Sequence, residues 1–280
     1  MEQNVFLDEV ELKRLMVQGR LLSEYEQPIY QKVIDGRKGL TLLDVGCNNG
    51  WKTKERFSDK NFKKIIGIDC LDQLVDQARE RFGNDVLSFY VCDVATENFT
   101  EKLQQIMQKE NIHAFDIIHC SFMLMHTKEQ EDILKRLKTF LAPGGKLIAI
   151  EPDDSTSYMN PDPDGIYKEF LQVLSADPYA GKRNMGAELP ELFSNSGYTD
   201  IQLECSEIAS SGNEITKKEH IFDTFCAYLL EDLILLRQDS EGDAYQKEWE
   251  WVQKNLDKLR QLMTDEASTV SMGVKIYTCG

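Results

Sequence analysis

Three acidic residues each close a short apolar run: Asp44 in Leu42-Leu43-Asp44-Val45-Gly46, Asp69 in Ile66-Gly67-Ile68-Asp69, and Asp93 in Tyr90-Val91-Cys92-Asp93-Val94. The first run enters the turn Gly46-Cys47-Asn48-Asn49-Gly50. A glycine-rich turn between a strand and a helix aims backbone N–H groups at a ligand. A pyrophosphate demands the second and third glycines of G-x-G-x-x-G, for close approach and for helix–strand packing. Those positions hold Asn48 and Trp51, which disfavours a dinucleotide. A ligand without pyrophosphate demands less, and asparagine tolerates left-handed dihedrals better than most residues. Asp69, about 20 residues past the turn, is placed to accept from both hydroxyls of a ribose. Asp93 is placed to accept from an adenine amino group. Each acid alone reads as a helix N-cap; three at successive strand ends, with the glycine turn, are hard to explain as caps.

S-adenosylmethionine satisfies these demands. It has no pyrophosphate, and its sulfonium and α-ammonium suit the carboxylate of Asp44. That carboxylate either engages the ammonium, often through water, or holds the loop in shape. Methyl transfer from an activated sulfonium is an in-line displacement that needs mainly orientation and proximity. A general base is required only for a protonated amine or a hydroxyl of high pKa. After the fourth apolar run comes His119-Cys120-Ser121-Phe122-Met123-Leu124-Met125-His126, where His126 is the base candidate by position and pKa class, or else a structural histidine at a helix start. Glu151 and Asp153 end the fifth run; each binds a cationic acceptor, acts as base, or caps the next helix. Arg183 is a candidate for an acidic substrate group, or a surface residue.

Positioning these residues along one edge takes alternating strands and helices. The patterning predicts a helix over 8–35 with a break or restart at Pro28, then strands at 39–46, 64–68, 86–91, 115–119 and 146–151 separated by helices at 71–81, 101–110 and 128–140. Such alternation implies right-handed crossovers and a mainly parallel sheet covered on both faces. Residues 152–165 read as a loop, 166–175 and 189–196 as helices, 199–205 as a strand, 214–264 as helical and 270–277 as the last strand. Ile221, Phe222, Phe225, Tyr228, Leu229, Leu233 and Ile234 recur at helical spacing, which suits packing or a lid.

These segments, together with Phe115-Asp116-Ile117-Ile118 and Leu137 through Leu147 around Pro143-Gly144-Gly145, resemble the class I S-adenosylmethionine-dependent methyltransferases. Within that class the chain is similar to the ubiquinone/menaquinone-methyltransferase-like branch acting on small molecules, on Ile150-Glu151-Pro152-Asp153 and the stretch Gly186 through Ser194. The resemblance implies an α/β, Rossmann-like doubly wound sheet with an antiparallel last strand. It implies an N-terminal helical cap at 1–37, a cofactor domain at 38–206 plus 269–280, and a helical insert at 207–268. It also implies cofactor contacts at Asp44, Gly46, Cys47, Asn48, Gly50, Asp69, Cys70, Asp93, Val94 and Ser121, with S-adenosylhomocysteine as product. The chain departs from the family in having Asn48 where glycine is usual.

Composition narrows the partners. Net charge is −16, from 48 acidic and 32 basic residues, which repels a nucleic acid. The pairs Lys63-Lys64 and Lys217-Lys218 are isolated and read as solvated surface. Seven cysteines, odd in number and without C-x-x-C spacing, argue against a disulfide framework or zinc site and for a reducing compartment. No run of about 18 apolar residues occurs, and Met1-Glu2-Gln3-Asn4 does not open a secretory signal. The expectation is a cytoplasmic enzyme methylating a small molecule. Its rivals are a non-catalytic S-adenosylmethionine-binding sensor or subunit, and a nucleotide-dependent oxidoreductase.

Overall fold

The computed structural model describes residues 9–58, 62–239 and 244–280. The first eight residues of the expected cap and residues 240–243 of the expected insert lie outside the described residues. The elements run α1 (Glu9–Ile34), β1 (Leu40–Val45), α2 (Trp51–Phe57), β2 (Phe62–Asp69), α3 (Asp72–Phe82), β3 (Leu87–Val91), α4 (Phe99–Lys109), β4 (Phe115–Ser121), α5 (Gln130–Lys138), β5 (Leu141–Pro152), β6 (Tyr158–Asn160), α6 (Ile166–Leu174), α7 (Met185–Asn195), β7 (Gln202–Cys205), β8 (Ile208–Ser211), α8 (Ile215–Phe225), α9 (Tyr228–Asp239), α10 (Gln246–Thr264), β9 (Thr269–Met272) and β10 (Val274–Cys279). They pack as two compact units: Tyr25–Pro152 with Asn184–Ser206 and Lys275–Gly280, and the chain up to Glu24 with Asp153–Arg183 and Glu207–Val274.

The first unit holds a seven-stranded sheet in the order β3-β2-β1-β4-β5-β10-β7. β1 to β5 pair in parallel, and β10 runs antiparallel to β7. The expected Rossmann-like sheet is therefore present. Its strands are near-continuous apolar runs because helices cover both faces: Leu42, Leu43, Ile66, Ile68, Ile117 and Ile118 are buried, each contributing about 1.5–3 kcal/mol. Helices α3, α4 and α5 bury one stripe each, through Leu74, Val75 and Ala78, through Phe99, Leu103 and Ile106, and through Ile133, Leu134 and Leu137. The strand order reverses between β1 and β4, the place where open α/β sheets bind ligands.

Four elements differ from the expectations drawn from the sequence. Helix α1 runs unbroken through Pro28; a proline removes one hydrogen bond, here to Glu24 four residues back, and buried Leu22, Ile29 and Tyr30 offset it. The segment expected as a loop at 152–165 contains β6, paired with β9, because a tertiary partner gives three residues a ladder that their composition does not signal. Helix α7 starts at Met185 and carries Pro190 inside. The single last strand is two. β9 joins a second, antiparallel sheet, β6-β9-β8, while β10 joins the large one. Gly273 lies between them, where a Cβ would stand 2.0 Å from the Asp153 carbonyl oxygen.

The second unit contains that small sheet and α6, α8, α9 and α10. Ile221, Phe222, Phe225, Leu229 and Leu233 are its buried stripe. Lys218, expected at the surface, is fully buried; its ammonium donates to the carbonyls of Gly212, Asp265 and Ser268 at 2.6–2.8 Å, which satisfies all three of its donors. Asp177 and Asp232 face each other in the same unit, 4% and 5% exposed, with Glu11 and Arg14 nearby. Burial and the facing carboxyl push Asp232 up to about 9, and burial raises Asp177 as well. The pair thus shares a proton at neutral pH. A carboxyl whose folded pKa is raised stabilises fully below its unfolded value of about 3.9 and loses that contribution as pH rises toward the folded value. Asp232→Asn keeps a donor to Asp177 without a titration. Thermal unfolding should show the variant gaining on the wild type steadily between pH 5 and pH 9; a constant difference would mean that no proton is shared.

Candidate cofactor site

The turn after β1 is tied to the end of β2. The N–H groups of Gly46 and Cys47 both donate to the Ile68 carbonyl, at 2.9 and 3.0 Å. Asn48 follows with φ +51°, its N–H donating to Asp69 Oδ2 at 2.8 Å and its Oδ1 accepting the Asn49 N–H at 2.7 Å. Asn48 thus occupies the left-handed region, which asparagine tolerates better than most residues. Gly50, at φ +75°, precedes α2, and a Cβ on it would meet Phe89 Cζ at 2.6 Å, so here glycine is required both by dihedral and by packing.

Asp69 closes this loop from below. Besides Asn48, its Oδ1 accepts the Leu71 N–H at 3.1 Å, so one carboxylate joins the glycine turn to the start of α3. Burial raises its pKa, opposed by the N–H groups of Leu71, Asn48 and Cys70. The side chain stays half-buried, so it is open to a ligand at the strand end. Asp93 Oδ1 accepts the Ala95 N–H at 2.8 Å, shaping the turn before α4, and the Val94 carbonyl accepts from Arg136 at 2.9 Å. Ser121 ends β4, half-buried, its Oγ 3.4 Å from Arg56. Strand register places these groups side by side: Val45 opposes Ile68 and Cys120, and Asp69 opposes Val91. Gly46, Asn48, Asp69, Cys70, Asp93, Val94 and Ser121 therefore line one carboxyl edge. Cys47 is buried, and burial with the charges of Asp69 and Asp44 pushes its thiol well up, which leaves it a packing group, not a nucleophile.

Asp44 sits under the turn, 3% exposed. Its Oδ1 accepts from His119 Nδ1 at 2.7 Å and its Oδ2 from Thr53 Oγ1 at 2.5 Å. Burial acts to raise this carboxyl, but His119, Thr53 and Arg56 outweigh it and hold its pKa below the usual value. Of the two roles open to Asp44, this geometry serves the holding of the loop. Sequence patterning assigns no role to His119 or to its partner Tyr30, whose hydroxyl lies 3.0 Å from His119 Nε2. His119 was within reach, since it pairs with Asp44 across β1 and β4. Tyr30 and the buried Glu26–Arg56 pair, at 2.5 and 2.8 Å, carry no sequence signal because helix register decides them.

Glu151 is fully buried and accepts the N–H groups of Met123, Leu124 and Met125 at 3.0, 2.7 and 3.3 Å. It anchors the turn after β4, where Phe122 adopts φ +52°, a strained conformation for an aromatic residue. His126 lies exposed at the end of that turn. Asp153 and Arg183 belong to the other unit. Asp153 is buried, with Ser155 Oγ donating to it at 2.5 Å. Arg183 is not a surface residue: it forms a two-bond ion pair with Asp154, both bonds 2.9 Å. Among the described residues no group of three or more His, Cys, Asp or Glu could hold a metal ion.

A doubly wound sheet with a glycine turn and an acid at the end of the second strand defines a Rossmann-like fold, whose carboxyl edge at the strand-order reversal is where such sheets bind ligands. A family model described as "Methyltransferase domain" matches residues 20–203, and the chain belongs to that family. It is 30% identical over 143 residues to a tRNA U34 carboxymethyltransferase of Pseudoalteromonas atlantica, covering 49% of this chain and 41% of that protein. It is 29% identical over 125 residues to a ubiquinone biosynthesis O-methyltransferase of Coxiella burnetii, covering 43% and 48%. The matches thus span less than half the length of these curated relatives. A solved phosphoethanolamine N-methyltransferase 2 of Haemonchus contortus, in complex with S-adenosyl-L-methionine, shares the fold with a TM-score of 0.52 at 15% identity, covering 98% of this chain and 58% of that one.

Asn48→Gly removes any left-handed strain but also the bond to Asn49, whereas Asn48→Ala keeps the strain and loses the bond. Thermal and denaturant unfolding should place Asn48→Gly within about 0.5 kcal/mol of wild type and Asn48→Ala about 1–2 kcal/mol below it. Equal stability of the two variants would show that the left-handed turn does not constrain this position.

Proposed function

We propose that this chain binds S-adenosylmethionine at the carboxyl edge of the large sheet and transfers its methyl group to a small-molecule acceptor. The observation that carries the reading is Asp69. Its carboxylate links Asn48 and Leu71 and stands half-buried at the end of β2, the position from which an acid meets a ribose in such a sheet. Asn48 supports it by preserving the turn, and Asp93 with Val94 lies at the neighbouring strand end, where an adenine would be read. The cofactor, when bound, supplies an activated methyl group. The protein's own part is orientation: Asp69 and the glycine turn hold the nucleoside, and Glu151 holds the chain after β4. His126 is the base we assign for acceptors that need one, and its exposure leaves it open to solvent protons.

The small-molecule acceptor rests on a net charge of −16, which opposes a polyanion, and on the ubiquinone O-methyltransferase likeness. The tRNA-modifying relative is the competing indication. Seven free cysteines support a reducing, cytoplasmic setting, and among the described residues no helix is long and apolar enough to cross a membrane. A sensor that binds the cofactor without turning it over is the alternative reading.

Calorimetric titration should give micromolar affinity for S-adenosylmethionine and S-adenosylhomocysteine, reduced roughly tenfold or more by Asp69→Ala, since a hydrogen bond to a charged group contributes about 1.5–3 kcal/mol. Incubation of a cell extract with methyl-labelled cofactor should place label in the small-molecule fraction. Label in RNA would replace the acceptor class, and binding without any label transfer would favour the sensor.

A further inference from the structure

The large sheet ends on one side at β3, whose outer edge has no neighbouring strand among the described residues. An open edge is a template for another strand. Two bonds fix which residues face it. The Ile65 N–H donates to the Val86 carbonyl and the Cys92 N–H to the Asp69 carbonyl, both at 2.8 Å. Peptide groups alternate along a strand, so those of Ser88 and Tyr90 also face β2. Leu87, Phe89 and Val91 therefore direct their N–H and C=O groups outward.

The chain's own groups already occupy part of this edge. Asn84, in the turn after α3, folds back on the strand: its Oδ1 accepts the Leu87 N–H at 3.0 Å, and its own N–H donates to the Leu87 carbonyl at 2.9 Å. From α3, Arg79 Nε donates to the Phe89 carbonyl at 2.8 Å. The guanidinium is steadied by Asp76 Oδ1 at 2.8 Å and by the Tyr90 ring, whose centroid lies 5.9 Å away. Arg79 and Asn84 are both exposed, so neither fills the core. A long side chain held on an edge carbonyl gives up rotamer freedom, and what it gains is the closing of that carbonyl.

The partner that fits an unguarded β3 is a second copy of this chain. A two-fold axis at Phe89 sets β3 antiparallel to itself, with Phe89 opposite Phe89 and Leu87 opposite Val91. Such a contact is self-complementary, since the same patch serves both chains. Each bond of that ladder draws on the Phe89 carbonyl, the Leu87 N–H or the Leu87 carbonyl, and all three are occupied. We propose that β3 is a self-pairing surface held shut by Arg79 and Asn84, and that removing these two side chains lets two copies join their large sheets across Phe89.

The test is sedimentation across a concentration series, joined to amide hydrogen exchange, on wild type, Asp76→Ala and the double variant Arg79→Ala/Asn84→Ala. The double variant frees the Phe89 carbonyl and the Leu87 N–H, while the backbone of residue 84 still caps the Leu87 carbonyl. It should self-associate about tenfold or more tightly than wild type, with exchange slowed at the Phe89 and Val91 amides. Asp76→Ala removes a charge beside the edge but leaves Arg79 Nε on its carbonyl, and should sediment as wild type. If the double variant does not fold, Arg79→Ala alone frees the carbonyl at the two-fold centre and gives the same two readouts. Sedimentation of the cap-removing variants as wild type overturns the proposal. So does association that leaves exchange at Phe89 and Val91 unchanged, or a wild-type dimer in which both amides are already slowed.

Discussion

An ionised carboxylate at the centre of a protein has to be answered by donors, and Asp44 is that carboxylate here. It stands at the end of the first strand, 3% exposed, where an uncompensated charge is too costly to persist. Its answer comes from three directions: His119 on β4, Thr53 on α2, and the charge of Arg56. Satisfying one side chain therefore fixes β1 against β4 and seats α2 at a defined angle. Because Arg56 needs Glu26, and His119 needs Tyr30, the same requirement draws the second half of α1 onto the sheet. The turn that follows Asp44 inherits its position from this cluster, with Asp69 holding it from the other side.

The edge built on that cluster has a division of labour. Asp69 and the glycine turn remain accessible, whereas Asp44 and Glu151 are buried and act through backbone they hold. Glu151 illustrates how strain is stored near such a site. Three N–H groups converge on its carboxylate, and charge-assisted bonds of this kind are strong enough to offset the left-handed Phe122 that brings them there.

Much of this was legible in residues 38–151. Apolar runs buried on both faces, followed by acids, announce a parallel sheet and its carboxyl edge, and strand spacing suffices to align Asp44, Asp69 and Asp93. Legibility weakens where long-range partners decide. Nothing local distinguishes Tyr158-Met159-Asn160 from a loop until β9 pairs with it. The break at Gly273 follows from the approach of the Asp153 carbonyl, over a hundred residues away in the chain. Lys218 looked like solvated surface because its carbonyl partners, Gly212, Asp265 and Ser268, are assembled by the fold. Glu151 and Arg183 were each open to more than one reading, because a charged side chain that meets a substrate and one that holds a neighbouring segment look alike in sequence; the hydrogen bonds to Met123, Leu124 and Met125 and the ion pair with Asp154 are visible only in the fold.

The proposed cofactor site is the carboxyl edge between β1 and β4. Backbone amide chemical-shift mapping of the labelled protein with S-adenosylhomocysteine tests it most directly. The largest shifts are expected at residues 46–50, at Asp69 and Cys70, at Asp93 and Val94, and at Ser121 and Phe122. Shifts confined to the small β6-β9-β8 sheet, or to the 290 Å³ groove along β3 lined by Arg79, Tyr90 and Lys109, would contradict it.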